Sequence, residues 1–305
     1  MTPPPPDGAP DGPRPDLRYR VSDLLEVLDL TPDGDDCFRG ESQLQRYERI
    51  FGGQLMAQGI IAADRTVAAD PARADRPIHS LHVSFLASGD DRRPVQYAVE
   101  RVSDSRSFSS RRVVASQEGR TLATMMMSFA EAATGMEHQD AMPAVPAPDD
   151  VADVAAALAD VPEPYALVTI VEGPIELRHV EGHLYAGPCV ESVAAQSVWL
   201  RSRRRPLPDD PIVHAAFLAY AADYSILESA LRAHAVSWAD PRLRQASLDH
   251  AMWFHRPGRA DEWVLHVGRS PSASGGRGLG LGSMYAADGR LLATVAQEGM
   301  LRLKE

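Results

Sequence analysis

The segment from Ser247 to Pro257 brings an unusual set of reactive side chains close together. Its eleven residues, SLDHAMWFHRP, include a hydroxyl, a carboxylate, two imidazoles and several large apolar groups. A half-buried strand should instead alternate apolar and polar residues. Two more polar residues, Asp223 before the segment and Gln297 after it, also fall on faces that are otherwise apolar. We therefore expect a buried polar cluster, in which every polar group needs a partner or a function.

Asp223, Ser247 and Gln297 carry the functional groups that activate water. A carboxylate can accept a proton, while a hydroxyl and an amide fix the direction of the water's lone pair. For any one of them a structural hydrogen bond is an equally good explanation, but three such coincidences are harder to accept. A covalent route is not indicated, because no Gly-x-Ser-x-Gly motif occurs and neither Cys37 nor Cys189 has an obvious partner base.

The histidines give weaker indications. His250 and His255 could act as bases, although core histidines bonded to the backbone are commoner. His79 and His82 have the spacing of some metal ligands, yet they would face opposite ways on a strand. We therefore expect no metal site.

Three further motifs have structural explanations. The glycines at 275, 276, 278, 280 and 282 match no nucleotide-binding pattern and suggest a flexible or bulged strand junction. The arginines at 201 and 203–205 are typical of a solvated loop, with phosphate contact as the alternative. Met125 to Met127 predict core packing, and methionines also suit pockets for flexible acyl chains.

The composition is that of a globular protein from a reducing compartment. The chain has 305 residues, 44% of them hydrophobic, and only two cysteines. A net charge of −11 argues against nucleic-acid binding. No apolar run is long enough to span a bilayer, and no signal peptide is visible. We expect a cytoplasmic protein with neither nucleic-acid nor membrane partners.

The chain divides into two similar halves. Residues 119–124, GRTLAT, recur as residues 289–294, GRLLAT, 170 positions later, and residues 78–85 lie the same distance before 248–255. In each half a helical pattern, Gln54 to Val67 or Asp210 to Arg232, precedes strand patterns with turn signals between them. An ancestral duplication is the simplest explanation. A helix followed by antiparallel strands, twice, predicts an α+β protein.

Proline-rich stretches indicate the boundaries of these halves. We expect a disordered tail at residues 1–17, a first domain at 18–132, a linker at 133–165 and a second domain at 166–305. Within the linker, Asp150 to Leu158 could form a short helix. The polar cluster falls entirely in the second domain.

Several motifs together resemble the acyl-CoA thioesterase II family. They are Ser247 to Pro257, Gln297-Glu298-Gly299, Ala219 to Asp223, Phe38-Arg39-Gly40 and Phe51-Gly52-Gly53-Gln54, and the likeness runs from about Leu24 to Arg302.

The resemblance implies a double hotdog fold, in which an antiparallel sheet wraps a long helix in each of two tandem domains. It also implies hydrolysis of acyl-CoA to a free acid and CoA without a cofactor, and a homo-oligomer, a dimer or tetramer. The family's catalytic aspartate, hydroxyl residue and glutamine fall on Asp223, Ser247 and Gln297, with backbone N–H groups near a helix start as the expected oxyanion site. The first half has Gly53 and Met127 at the matching positions, so one site per chain is expected.

Two alternatives remain open at this point. A non-catalytic acyl-CoA or acyl-carrier binder could use the same pocket, although pure binding does not need a buried carboxylate. A hotdog hydratase or dehydratase usually places a histidine on the helix, and the stretch Tyr220 to Tyr224 has none.

Overall fold

The computed structural model describes residues 21–45, 48–158, 173–187, 191–203 and 206–304. The tail expected at residues 1–17 lies outside these ranges. The boundary expected between residues 165 and 166 also lies outside them.

The first half begins with a short helix and a small hairpin and continues as a helix followed by four strands. Its elements are α1 (Val21–Leu28), β1 (Thr31–Pro32), β2 (Cys37–Gly40), α2 (Gly52–Ala68), β3 (Ile78–Phe85), β4 (Val95–Asp104), β5 (Phe108–Gln117) and β6 (Arg120–Ala130).

Among the described residues, the second half begins with a short helix and continues with two strands, two consecutive helices and five more strands. Its elements are α3 (Val154–Ala157), β7 (Ile175–His179), β8 (Ala195–Ser202), α4 (Pro211–Ser225), α5 (Glu228–Ala233), β9 (Leu243–Ser247), β10 (Asp249–Phe254), β11 (Val264–Ser274), β12 (Arg277–Ala286) and β13 (Leu291–Leu303).

All the strands belong to one antiparallel sheet in the order β1-β2-β4-β5-β6-β3-β10-β13-β12-β11-β8-β7, with β9 paired to β13. The two halves meet where β3 pairs with β10. There Leu81 pairs with Met252 and His82 pairs with Ala251, and a shift of 170 positions exchanges these two pairs. This register is what a pseudo-two-fold axis between duplicated halves requires. The α+β prediction is confirmed.

The helices occupy the space between the two halves of the sheet. Of the 17 residues of α2, 13 are buried, because small residues let the helix lie close to its neighbours. Helix α4 is apolar on all sides and packs mainly against α2, while α5 lies on strands β8, β11 and β12. Asp210 caps α4 by accepting from the Ile212 N–H at 3.1 Å, with Pro211 in the first turn, as the sequence predicts.

The prediction of a single helix from Asp210 to Arg232 is wrong in one respect. The helix ends at Ser225, and a separate short helix begins at Glu228. Gly280 on β12 permits this break, because a Cβ there would collide with the carbonyl of Ile226.

The glycine-rich run has two roles, and a bulge of the kind expected lies beside it, because the register of β11 with β12 shifts between Arg269 and Ser272, opposite Gly280. Gly275 and Gly276 form the turn between β11 and β12, with φ angles of 58° and 74° that favour glycine. Gly278, Gly280 and Gly282 instead lie within β12, where α5, the helix break and the His266 imidazole approach the strand.

The segment after residue 132 packs against the second half. Met142, Val145 and Val151 contact the cluster of Trp199, Leu265 and Tyr285, on the sheet face turned away from the helices. The Trp199 indole donates to the Pro146 carbonyl at 2.9 Å. The helix expected at 150–158 is only the four residues of α3. No helix among the described residues is long and apolar enough to cross a membrane.

Candidate active site

The structure brings Asp223, Ser247 and Gln297 together. The Gln297 side-chain nitrogen, Nε2, donates to Asp223 Oδ1 and to Ser247 Oγ, both at 2.9 Å. Gln297 is 1% exposed, whereas Asp223 and Ser247 are only partly buried. The alternation expected along β13 is also found, with Ala293, Val295 and Gln297 all buried. The two partly buried partners can therefore still meet water, while the amide that joins them is held in the interior.

Asp223 lies in the last turn of α4 and faces the first turn of α2. The Gly53 backbone N–H donates to Asp223 Oδ2 at 2.8 Å, and the positive end of the α2 dipole adds to this attraction. A Cβ on Gly52 would lie 2.8 Å from Asp223 Oδ2, and one on Gly53 would lie 2.6 Å from the Tyr220 carbonyl. The two glycines are the first residues of the helix and allow this close approach.

The Gly53 N–H has a different role from the one expected for a donor at a helix start. Such donors are expected to face the oxyanion, but this N–H holds the carboxylate of Asp223. The first half, which lacks its own polar set, therefore contributes a backbone donor to the site in the second half. Met127, at the position that matches Gln297, is a buried core residue 1% exposed.

The surroundings of Asp223 change the affinity of its carboxylate for a proton. Burial raises the pKa of Asp223 above 3.8, and the hydrogen bonds from the Gln297 amide and the Gly53 N–H act in the opposite direction. The raised pKa makes this carboxylate a better proton acceptor than an exposed aspartate once it is ionised.

His250 also belongs to the cluster, although a structural role is the commoner one for a histidine at such a position. Its Nδ1 lies 2.5 Å from Gln297 Oε1, and the residue is 1% exposed. Burial lowers the pKa of His250, against the opposing influence of Asp223. The register of β10 with β13, in which Ala251 pairs with Ala296, places His250 opposite Gln297.

The rest of the segment from Ser247 to Pro257 is mostly scaffold. Asp249 accepts from the Glu298 N–H at 2.9 Å, and His255 Nε2 lies 2.8 Å from Thr294 Oγ1, so both make local hydrogen bonds as expected. Met252 is buried in the core. Trp253 is 38% exposed and stands edge-on to His82, so it is not a core residue.

Aromatic side chains line the approach to Asp223. The Phe51 ring lies 5.1 Å from Tyr220 and 4.9 Å from Tyr224, measured between ring centroids. Phe85 lies beside Gly52, where a Cβ would be 3.1 Å from the ring. Burial raises the pKa of Tyr224 to about 12, so this phenol keeps its proton. The partly exposed rings of Phe51, Phe85 and Tyr224 can offer apolar contact to a substrate, whereas Tyr220 is buried.

The other candidates from the sequence lie elsewhere. His79 Nε2 bonds to Ser128 Oγ at 2.9 Å, and no group of three potential metal ligands occurs among the described residues. Arg201 bonds to Glu176 at 2.8 Å and stacks on Trp263, while positions 204 and 205 lie outside the described residues. Met125 is buried, whereas Met126 faces outwards.

Comparison with known proteins agrees with this architecture. A family model described as acyl-CoA thioesterase matches residues 180–300, and one described as the acyl-CoA thioesterase N-terminal domain matches residues 42–130. Acyl-CoA thioesterase 2 of Haemophilus influenzae is 36% identical over an alignment of 290 residues that covers 93% of this chain and 99% of that protein.

Solved structures show the same fold. The acyl-CoA thioesterase II TesB2 of Mycobacterium marinum superposes with a TM-score of 0.75 at 40% identity, over 92% of this chain and 99% of that one. A hot dog fold protein from Alicyclobacillus acidocaldarius has a TM-score of 0.73 at 22% identity, over 93% and 99% of the two chains. The double hotdog prediction is confirmed, and the chain belongs to the acyl-CoA thioesterase II family.

Proposed function

We propose that this protein hydrolyses acyl-CoA thioesters by direct attack of water, with Asp223 as the general base. The observation that supports this most is the position of Gln297, whose two N–H groups point to a carboxylate and a hydroxyl at once. A water bound between Asp223 and Ser247 would have its proton directed to the carboxylate and its lone pair to the substrate.

The reaction then follows ordinary acyl transfer. The water oxygen bonds to the thioester carbonyl carbon while Asp223 takes the water proton. The tetrahedral intermediate collapses, the carbon–sulfur bond breaks, and the proton passes to the CoA thiolate. The products are a free acid and CoA, and no step needs a cofactor.

The partly exposed aromatic rings of Phe51, Phe85 and Tyr224 suit an acyl chain next to the thioester. The cytoplasmic location and the homo-oligomer stay predictions. So do the domain boundaries at residues 132 and 165.

Release of free thiol from acyl-CoAs with acyl chains of increasing length tests the proposal. Loss of the base in Asp223→Asn should lower kcat by about 10²–10⁴-fold, and Gln297→Ala should also impair turnover. Asp249→Asn is the matched control, because it changes a nearby exposed carboxylate while keeping an acceptor for the Glu298 N–H.

Full activity of both Asp223→Asn and Gln297→Ala would show that the site is assigned wrongly. Calorimetric binding of acyl-CoA without turnover by the wild-type protein would instead favour the non-catalytic binder. Hydration of an enoyl-CoA without thiol release would favour the hydratase.

A further inference from the structure

The hydrogen bond between His250 and Gln297 has a direction that the neighbouring groups determine. An ionised carboxylate only accepts hydrogen bonds, so the group of Gln297 that faces Asp223 must be the NH2. Its two N–H groups are then used by Asp223 and Ser247. The remaining atom, Oε1, accepts, and its partner at 2.5 Å is His250 Nδ1. His250 must therefore carry its proton on Nδ1.

The other ring nitrogen of His250 supports the same assignment. Nε2 is buried and has no hydrogen-bond partner among the described residues. A second proton there would leave a buried, unsatisfied donor on a charged ring, which is costly. Burial indeed lowers the pKa of His250 and favours the neutral ring. The imidazole is thus a single neutral tautomer whose one donor points at Gln297.

We propose that His250 is a positioning residue that keeps the Gln297 amide in its productive orientation. This inference rests on the proposed function of Asp223, Ser247 and Gln297. Without the His250 donor, the amide can rotate by half a turn and present Oε1 to the carboxylate. Two acceptors would then face each other, the water would lose its alignment, and the buried Oε1 would no longer be fixed. His250 acts through Gln297 and not on the substrate.

Two substitutions separate a positioning role from simple packing. In His250→Asn the amide nitrogen can take the place of Nδ1 and donate to Gln297, whereas His250→Leu fills space without a donor. We expect His250→Leu to lower kcat by about 10²-fold through misplacement of the water, with KM little changed. His250→Asn should recover most of that loss. Equal kcat losses in the two variants, or wild-type kcat in His250→Leu, would overturn the inference.

A double-mutant cycle tests whether the effect passes through Gln297. His250→Leu should cost nothing more in a Gln297→Ala background, because the group it positions is already gone. Additive losses would overturn the inference. His214→Leu is the matched control, since this buried histidine on α4 bonds to the Ala260 N–H at 3.1 Å and not to the cluster. It should lower stability and leave kcat unchanged.

The same variants distinguish a failure of the His250 proposal from a failure of the proposed function. An inactive Asp223→Asn together with a fully active His250→Leu would refute the role of His250 alone. Active Asp223→Asn and Gln297→Ala variants would refute the proposed function itself. Nitrogen-15 NMR of the histidines in the wild-type protein provides a measurement that does not depend on variant folding. Protonation of His250 at Nδ1 supports the inference, and protonation at Nε2 overturns it.

Discussion

Gln297 joins the elements of the site because an amide has two donors and an acceptor on one rigid plane. The donors reach Asp223 on α4 and Ser247 on β9, and the acceptor meets His250 on β10. Four side chains from four elements therefore share one network, and each would be costly to bury alone. Such networks are sensitive to the loss of any member.

The sequence predicts three of these four residues because each interrupts an apolar pattern. Asp223 and Gln297 stand out on apolar faces, and Ser247 begins the mixed segment, although the structure places it at the end of β9 and not at the start of β10. The sequence does not point to His250, since a histidine at an inward strand position is more often a core residue. The missing information was the register of β10 with β13, which sets His250 opposite Gln297.

The pH dependence of turnover follows from the state of Asp223. Because burial raises the pKa of Asp223 above 3.8, the base should become available only as the pH rises through that higher value. We expect kcat/KM to increase with pH along an acid limb whose midpoint lies above that of an exposed aspartate. The thioester ultraviolet absorbance, followed across the acidic range, measures it. A flat profile in the acidic range would contradict the role of Asp223.

At the scale of elements, the start of α2 is the part of the first half on which the site depends. Gly52→Ala should push the helix start and Asp223 apart, because the new Cβ would lie 2.8 Å from Oδ2. A displacement of this kind should lower kcat by about 10²-fold, which steady-state kinetics would measure. The control is Gly59→Ala in the same helix, where the overlap is with the flexible Met125 side chain. If both variants lose kcat equally, the effect is general destabilisation of α2.

The contact between α2 and α4 also contains an unfavourable carboxylate. Burial raises the pKa of Asp64 on α2 to about 6, and the nearby Asp210 adds to the shift. Between pH 3.8 and about pH 6 the folded protein therefore binds more protons than the unfolded chain, so its free energy of unfolding falls as the pH rises through this window. Above about pH 6 Asp64 is ionised and its full destabilising effect is present.

Asp64→Asn should remove that destabilising effect. We expect it to raise the free energy of unfolding at neutral pH by about 1–3 kcal/mol, with little change at acidic pH, as measured by urea denaturation. Asp210→Asn is a useful companion, since asparagine can still cap α4 while the repulsion is lost. A stabilisation of Asp64→Asn that is the same at every pH would contradict this account.

For the molecule as a whole, the sequence predicted two repeated halves but not how they share one site. The repeat of 170 positions indicates the duplication, and the β3–β10 pairing shows where the halves meet. The break after Ser225 and the packing of residues 142–151 on the second half could not be predicted, because both depend on contacts between residues far apart in the chain. The glycines of β12 are related to the helix break, because Gly280 leaves room for the Ile226 carbonyl. Without knowledge of the neighbouring helix, however, they suggest only a flexible or bulged strand.

The shared site leads to a prediction about separated halves. A fragment of residues 133–305 keeps Asp223, Ser247 and Gln297 but lacks the Gly53 N–H and the α2 surface that covers α4. We expect this fragment alone to have no measurable thiol release, and co-expression with residues 1–132 to restore activity. A cut after residue 132 leaves Met142, Val145 and Val151 on the second half, against which they pack, whereas a cut after residue 158 removes them from it. We therefore expect a smaller yield of the two-fragment complex when the chain is cut after residue 158. Hydrolysis by the isolated fragment at the full-length rate would show that the first half is dispensable for the site.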